Sequence, residues 1–477
     1  PSPRGFAMLS RRHFLQGSAA AFAAGPAFAL SPRPGGAATS LTLTAGAMPH
    51  RLPGCSADSL LWGYNSTWPL ELRVQRGRPF EAVLKNALPD HTAIHWHGLR
   101  IPFEMDGVSY FTQAPVEPGQ SFRYAFSPPD PGTFFFHPHC DTITQLGRGL
   151  AGVLVVEDPR DAGLFDHDQV LVLKDWRVRR DGSFEDFTTD AGAAKAGTFG
   201  SVRSVNGAAP PEIVVRPGAR LRLRLVNIDL TRIPMLGLRG AAQAAIIATD
   251  GNACTPFPVD GWRLGPAMRA DLGVVMPATE GAEVFLEDIW STKPRLLAKL
   301  VTRGAALRRD GAQPALRLPE AELPVPDLKA ATELEMALLA GHADPKMEAW
   351  AKANGVSIDE LCLTRKVFWS INRQSWPGMG PGLKPDPLYE LKAGRSYVIE
   401  IFNGTPHLHP MHLHGHTFRV VASTEEDVRP HWSDTVLVRP KERVKIAFVA
   451  GLPGDWMVHC HIIEHQETGM MGYIRVA

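Results

Sequence analysis

Short runs in which apolar and polar residues alternate recur along the chain and set its expected architecture. Leu70-Glu71-Leu72-Arg73-Val74, Phe80-Glu81-Ala82-Val83-Leu84 and Arg220-Leu221-Arg222-Leu223-Arg224-Leu225 keep a period of two, the spacing of a strand with one buried face. Gly132-Thr133-Phe134-Phe135-Phe136-His137 and Val153-Leu154-Val155-Val156 are continuous apolar runs of strand length. Those before residue 160 predict a β-sandwich domain over residues 39–159, and the Arg220 run belongs to the next. Val170-Leu171-Val172-Leu173 and Leu272-Gly273-Val274-Val275 extend the pattern into a second β domain over 165–302, where Ser204-Val205-Asn206-Gly207 and Asp250-Gly251 are turn signals. Residues 303–366 read as a linker and helical insertion. The stretch to Asp327 is rich in Pro, Arg and Ala, and Ala330 to Asp359 reads as helical from Leu334, Met336, Leu338 and Leu339 before the break at Gly341. A third β domain is expected over 367–477, opening at Val367-Phe368-Trp369-Ser370-Ile371-Asn372. The fold class is therefore all-β with a short helical insertion before the third domain.

The N-terminus follows a different pattern. Ser10-Arg11-Arg12-His13-Phe14-Leu15, a small-residue apolar stretch and Ala27-Phe28-Ala29 predict a twin-arginine signal peptide over residues 1–29. The apolar stretch falls short of the roughly 20 residues a membrane span needs and carries Gln16, Ser18 and Pro26. Export without a stable membrane anchor is expected, into the periplasm if the source is Gram-negative. The 477 residues leave room for about three domains. With 50 Lys and Arg against 49 Asp and Glu, the net charge of +1 argues against a nucleic-acid partner. The 44 Gly and 41 Pro reinforce the turn-rich β reading.

Chemistry enters with the histidines, 18 in all and strongly clustered. Two early pairs, His95-Trp96-His97 and His137-Pro138-His139, are matched late in the chain by His409-Pro410-Met411-His412-Leu413-His414 and by His459-Cys460-His461-Ile462-Ile463-Glu464-His465, with Met470 beyond. An H-x-H pair on a strand turns both imidazoles to one face, so four pairs can supply eight nitrogens to one metal cluster. Cys460 points away from its two histidine neighbours, and His409 is an odd number of residues from His412 and His414. These two off-parity residues, with His465 and a weak axial thioether from Met470, form the ligand set of an electron-transfer copper site. Cys55, Cys140, Cys254 and Cys362 admit three disulfide connectivities or free thiols.

The four motifs, in this order and spacing, resemble those of the multicopper oxidases, the family of laccases, bilirubin oxidases and cuprous oxidases. The resemblance implies three tandem cupredoxin-like Greek-key β-sandwich domains and four copper ions. It implies type 1 copper on His409, Cys460, His465 and axial Met470, and type 2 copper on His95 and His412. The type 3 pair then falls on His97, His137, His461 and on His139, His414, His459. Asp106, nine residues after His97, matches an acid that the family uses to carry protons. Several bacterial relatives place a second carboxylate directly after the last type 1 histidine. Here that position is Gln466, which leaves Glu467 or another path. Cuprous-oxidising relatives carry an acid and a Met before the third motif, where this chain has Thr405 and His407, and a Met-rich insert, where it offers only Met336 and Met347. The axial Met470 favours a modest type 1 potential and easily oxidised donors.

The expected activity is thus laccase-like: a monomer oxidising small phenolic or aromatic-amine donors and reducing dioxygen to water. The alternatives are a metallo-oxidase of Cu(I), Fe(II) or Mn(II) and a non-enzymatic copper-binding or cell-envelope protein.

Overall fold

The alternating segments fold as strands, which among the described residues pair into six sheets, two for each third of the chain. A computed structural model describes residues 39–308, 315–340, 367–376, 380 and 384–477. The expected leader at 1–29, Met347 and Cys362 lie outside these residues. In the first unit, Ser59–Tyr64, Thr39–His50, Phe80–Asn86 and Ser121–Phe126 pack on Leu70–Gln75, Gly152–Glu157, Gly132–His137 and His95–His97. The second unit sets a six-stranded sheet, centred on Arg220–Asn227 and Arg269–Val275, against a four-stranded one. In the third, a six-stranded sheet faces a five-stranded one that carries His409–Leu413 and Gly454–Cys460 at its heart. Each unit mixes parallel with antiparallel neighbours. Thr39–His50 runs parallel to Phe80–Asn86, and Arg220–Asn227 to His167–Trp176, so the chain leaves a sheet and returns to it.

Side-chain parity divides these strands between cores. In Gly132–His137, Phe134 and Phe136 enter the core of the first unit, while Phe135 joins Trp176, Val226 and Ile463 in a cluster between units. A continuous apolar run is thus a strand buried on both faces. Arg220–Asn227 achieves the same with charge. Leu221, Leu223 and Leu225 fill the second core, while Arg222 and Arg224 on the other face pair with Asp271 and Asp168, each at 2.6 Å. Arg224 also donates to Thr133 of the first unit at 2.8 Å. A further cluster, Val108 with Trp376, Met457, Met471 and Tyr473, packs the first unit against the third. The histidine motifs meet at that junction.

The segment Thr332–Ala340 corrects the helical expectation for Ala330 to Asp359. It is a strand, parallel to Ser396–Asn403 and antiparallel to Trp369–Ile371, so it belongs to the third unit's larger sheet. Leu334, Met336 and Leu338 repeat every second residue, and the last two are buried. Glu, Leu, Met and Ala all favour helix intrinsically, and sheet pairing with burial of one face overrides that preference. Residues 341–366, the rest of the expected insertion, lie outside the described residues. Among the described residues no disulfide joins Cys55, Cys140, Cys254 or Cys460.

Candidate metal centre

Strand register brings the four motifs together. His95 stands opposite His137 in the first unit, and His412 opposite His459 in the third. Rings then meet across the boundary between units. His95 stacks on His414 with centroids 3.9 Å apart, and His97 on His412 at 3.7 Å. His137 lies 5.1 Å from His461, and His139 the same distance from His459. None of these eight residues is more than 1% exposed.

Their hydrogen bonds determine which nitrogens are left over. Nδ1–H of His95 donates to the Asp106 carbonyl at 2.8 Å, that of His137 to Pro138 at 2.9 Å, that of His412 to Asp434 at 2.8 Å and that of His459 to Cys460 at 3.1 Å. His414 Nδ1–H donates to Asp106 Oδ2 at 2.8 Å, and His97 Nε2–H to Asp434 Oδ1 at 3.0 Å. The other nitrogen of each ring is therefore bare. His414 Nε2 and His459 Nε2 face each other at 3.1 Å, and His139 Nε2 lies 3.4 Å from the same atom. His95 Nε2, His97 Nδ1, His137 Nε2, His412 Nε2 and both nitrogens of His461 are buried without a hydrogen-bond partner. Burial first, and the neighbouring imidazoles after it, push His97, His139, His414 and His461 well below the ordinary pKa. Bare nitrogen lone pairs facing one another at this distance repel unless a cation lies between them, and neutral imidazole is the metal-binding form. The residues fit a metal cluster.

On the far side of the strand Gly454–Cys460 a second group converges. Cys460 Sγ lies 3.5 Å from His409 Nδ1 and 3.6 Å from His465 Nδ1, and the two nitrogens are 3.0 Å apart. An ion at the centre of such a triangle stands about 2 Å from each atom, the length of a metal–imidazole bond. Both nitrogens are bare because the opposite ones are engaged. His409 Nε2–H donates to Thr405 Oγ1 at 2.7 Å, and His465 Nε2–H to the Lys195 carbonyl at 2.8 Å. Trp369 packs on both rings, 5.3 Å from His409 and 4.6 Å from His465. Met470 is fully buried in the same core, and its carbonyl accepts from the Cys460 amide at 3.0 Å. Burial pushes the Cys460 thiol up, so the thiolate needs a metal's charge beside it. One soft sulfur with imidazoles suits copper.

The acids divide by role. Asp106 is buried, and besides His414 it reaches His95 Nδ1 with Oδ1 at 3.3 Å. Glu467, Gln466 and His139 line one small cavity. Although part of Glu467 reaches the surface, its carboxyl is enclosed, and burial, with Asp141 adding to it, pushes it up to about 8. His407 sets its ring 5.8 Å from Trp369.

Several supporting residues escaped the sequence reading. Asp434 holds His97 and His412 together and is bound by Arg269 of the second unit, whose Nη1 donates at 2.9 Å. Asp250, in the turn of the second unit, accepts from the Arg269 amide at 2.8 Å and from Thr435 at 3.1 Å. Glu464 ties the turn after Cys460 to the second unit by accepting from the Thr188 hydroxyl at 2.9 Å. The second unit thus supports both groups, through Arg269 and through the Lys195 carbonyl. The one sequence signal for Asp434 was a lone acid at the start of the apolar run Thr435-Val436-Leu437-Val438.

Comparison with known proteins agrees with this geometry. Two family models, each described as multicopper oxidase, match residues 47–161 and 363–477. A multicopper oxidase of Mycobacterium tuberculosis is 29% identical over 90% of this chain and 86% of its own length. A laccase of Pycnoporus cinnabarinus is 30% identical over 91% of this chain and 88% of its own. The crystal structure of a multicopper oxidase from Pseudomonas thermotolerans superposes with a TM-score of 0.81 at 35% identity, covering 93% of this chain and all of that one.

Proposed function

Because the chain belongs to the multicopper oxidases, copper-dependent oxidoreductases that use dioxygen, we propose that it is laccase-like and takes single electrons from phenolic or aromatic-amine donors. We assign type 1 copper to His409, Cys460, His465 and Met470, type 2 to His95 and His412, and the type 3 pair to His97, His137, His461 and to His139, His414, His459. When bound, the metals supply one-electron oxidation at the first site and four-electron reduction of dioxygen at the second. Four phenols each give up one electron and one proton to become phenoxyl radicals, and one dioxygen takes all four of each to become two waters.

The chain's own part is geometry, insulation and protons. Cys460 supplies the thiolate to one site while its peptide neighbours, His459 and His461, belong to the other, so one strand is the covalent route between them. Asp106 holds His414 through Oδ2 and His95 through its carbonyl, fixing one ligand from each unit and keeping a carboxylate beside the cluster. Glu467 holds a proton at neutral pH in the cavity shared with His139. Such carboxyl groups suit proton delivery.

The observation that carries this reading is the back-to-back pair of bare-nitrogen clusters on either side of Cys460. For the donor, Thr405 stands where a cuprous-oxidising relative would offer a carboxylate, and its hydroxyl is engaged with His409. Copper-loaded protein should consume oxygen with a phenol as donor. Uptake driven by Cu(I), Fe(II) or Mn(II) alone would replace this reading with a metallo-oxidase. The twin-arginine signature at Ser10 to Leu15 supports export to the periplasm of a Gram-negative source. Among the described residues no helix is long and apolar enough to cross a membrane.

A further inference from the structure

The type 1 residues His409, Cys460, His465 and Met470 are all 0% exposed, so a donor meets them only through what surrounds them. Beside them lies a pocket of about 170 Å³ whose wall includes Leu408, next to His409, and Ile462, two residues after Cys460. The second unit builds the rest. Phe199 and Trp290 line the pocket, and each is 47% exposed, which is unusual among the described large apolar residues.

Cations outnumber carboxylates around this pocket, although buried Asp175 also binds Arg232, accepting from Nε at 2.6 Å. Arg203 and Arg232 line it, and the Arg232 guanidinium lies 4.8 Å over the Phe199 ring. Arg263 sits 5.1 Å over Trp290, and exposed Lys195 adjoins Ala196 of the wall. The only carboxylate among the described lining residues, Asp288, has its oxygens engaged. Oδ2 accepts from Arg203 at 2.8 Å, and Oδ1 from the Met235 and Trp290 amides, both at 3.0 Å. Burial first and the Arg232 charge second lower the Arg203 pKa, even with Asp288 beside it. The described lining offers no free carboxylate, thiol or thioether to a metal ion.

We propose that this pocket is the donor site and that it selects anionic aromatic donors, phenols carrying a carboxylate or sulfonate. The proposal rests on the laccase-like reading and names its substrate class. The donor ring lies against Phe199 and Trp290, its anionic substituent faces Arg203 and Arg232, and its hydroxyl approaches Leu408 and Ile462. There it loses one electron towards the type 1 site and one proton to water. Arginine over an aromatic face is already arranged for this ligand class, and a positive rim raises the encounter rate of anions.

The test measures kcat/KM of the copper-loaded full chain for two phenols matched in oxidation potential, one sulfonated and one neutral. The expected preference for the sulfonated phenol is about fivefold or more at low salt, collapsing at about 0.5 M NaCl as screening sets in. Arg203→Gln should cut the anionic-to-neutral ratio at least about threefold through KM, with Arg203→Lys restoring part of it. Lys195→Gln, at an exposed side chain, should lower the ratio without endangering the fold. Equal kcat/KM for the two phenols, or a ratio indifferent to salt and to both charge removals, would overturn the proposal alone. Oxygen uptake with Cu(I) but with neither phenol would overturn the laccase-like reading and this proposal with it.

Discussion

Asp106 touches a proposed ligand from each outer unit, His95 through its carbonyl and His414 through Oδ2, each at 2.8 Å. Asp106→Asn keeps the carbonyl contact and removes the charge. The expected outcome is an oxygen-uptake rate lowered about 10- to 100-fold with the blue absorption retained; an unchanged rate would remove Asp106 from proton delivery. Gly107 makes this approach possible, since a Cβ there would stand 1.7 Å from the Ile94 carbonyl at a φ of +80°. Asp434 is the other buried anchor. Burial acts to raise its pKa, but Arg269 and His412 outweigh burial and hold it below the ordinary carboxylate range. A carboxyl depressed in the fold contributes stability that is present above its unfolded pKa, about 4, and is lost as pH falls. The melting temperature should therefore drop on acidification below about pH 4, and less steeply in Asp434→Asn. Arg269→Met leaves Asp434 buried without its cation and should cost about 3–5 kcal/mol in denaturant unfolding. At this scale the sequence was informative wherever a residue sat in a spaced motif, as His95 and Cys460 do. It was silent where the partner is distant, because Arg269 meets Asp434 across 165 positions of chain.

The strand Gly454–Cys460 with the turn after it is the element on which both sites depend. Period-two geometry sends His459 and His461 to one side and Cys460 to the other, which was legible from the sequence because strand parity is a local rule. Cys460→Ser should abolish the blue band and lower oxygen uptake at least about 1,000-fold while leaving copper bound by the histidine cluster, visible as a type 2 signal in electron paramagnetic resonance. Loss of all copper would mean that the two sites are not separate. Thr332–Ala340 shows the opposite case. Its apolar residues suit either a helix or a strand, and the deciding partner, Ser396–Asn403, begins more than fifty residues later. Met336→Ala should cost about 2–5 kcal/mol, and exposed Glu335→Ala within about 0.5 kcal/mol, the contrast expected of alternating strand faces.

Across the whole molecule, the proposed ligands come from the first and third units while the second braces both groups, through Arg269 and Asp250 behind the histidine cluster and through the Lys195 carbonyl beside His465. Three β domains could be read from the alternating runs, but this bracing could not, since it depends on how finished sandwiches dock. Metal binding should accordingly stabilise the entire chain. Removing copper with a chelator is expected to lower the melting temperature in one transition, by the equivalent of about 4 kcal/mol if free copper had exceeded its dissociation constant 1,000-fold. The central claim is that the Cys460 site takes electrons from a phenol and passes them to the histidine cluster, where dioxygen accepts them. The visible spectrum of copper-loaded protein during phenol addition tests it most directly. A strong blue thiolate band should bleach when phenol is added without oxygen and return on admitting air. A chain with no blue band, or one whose blue band phenol leaves untouched, would contradict it.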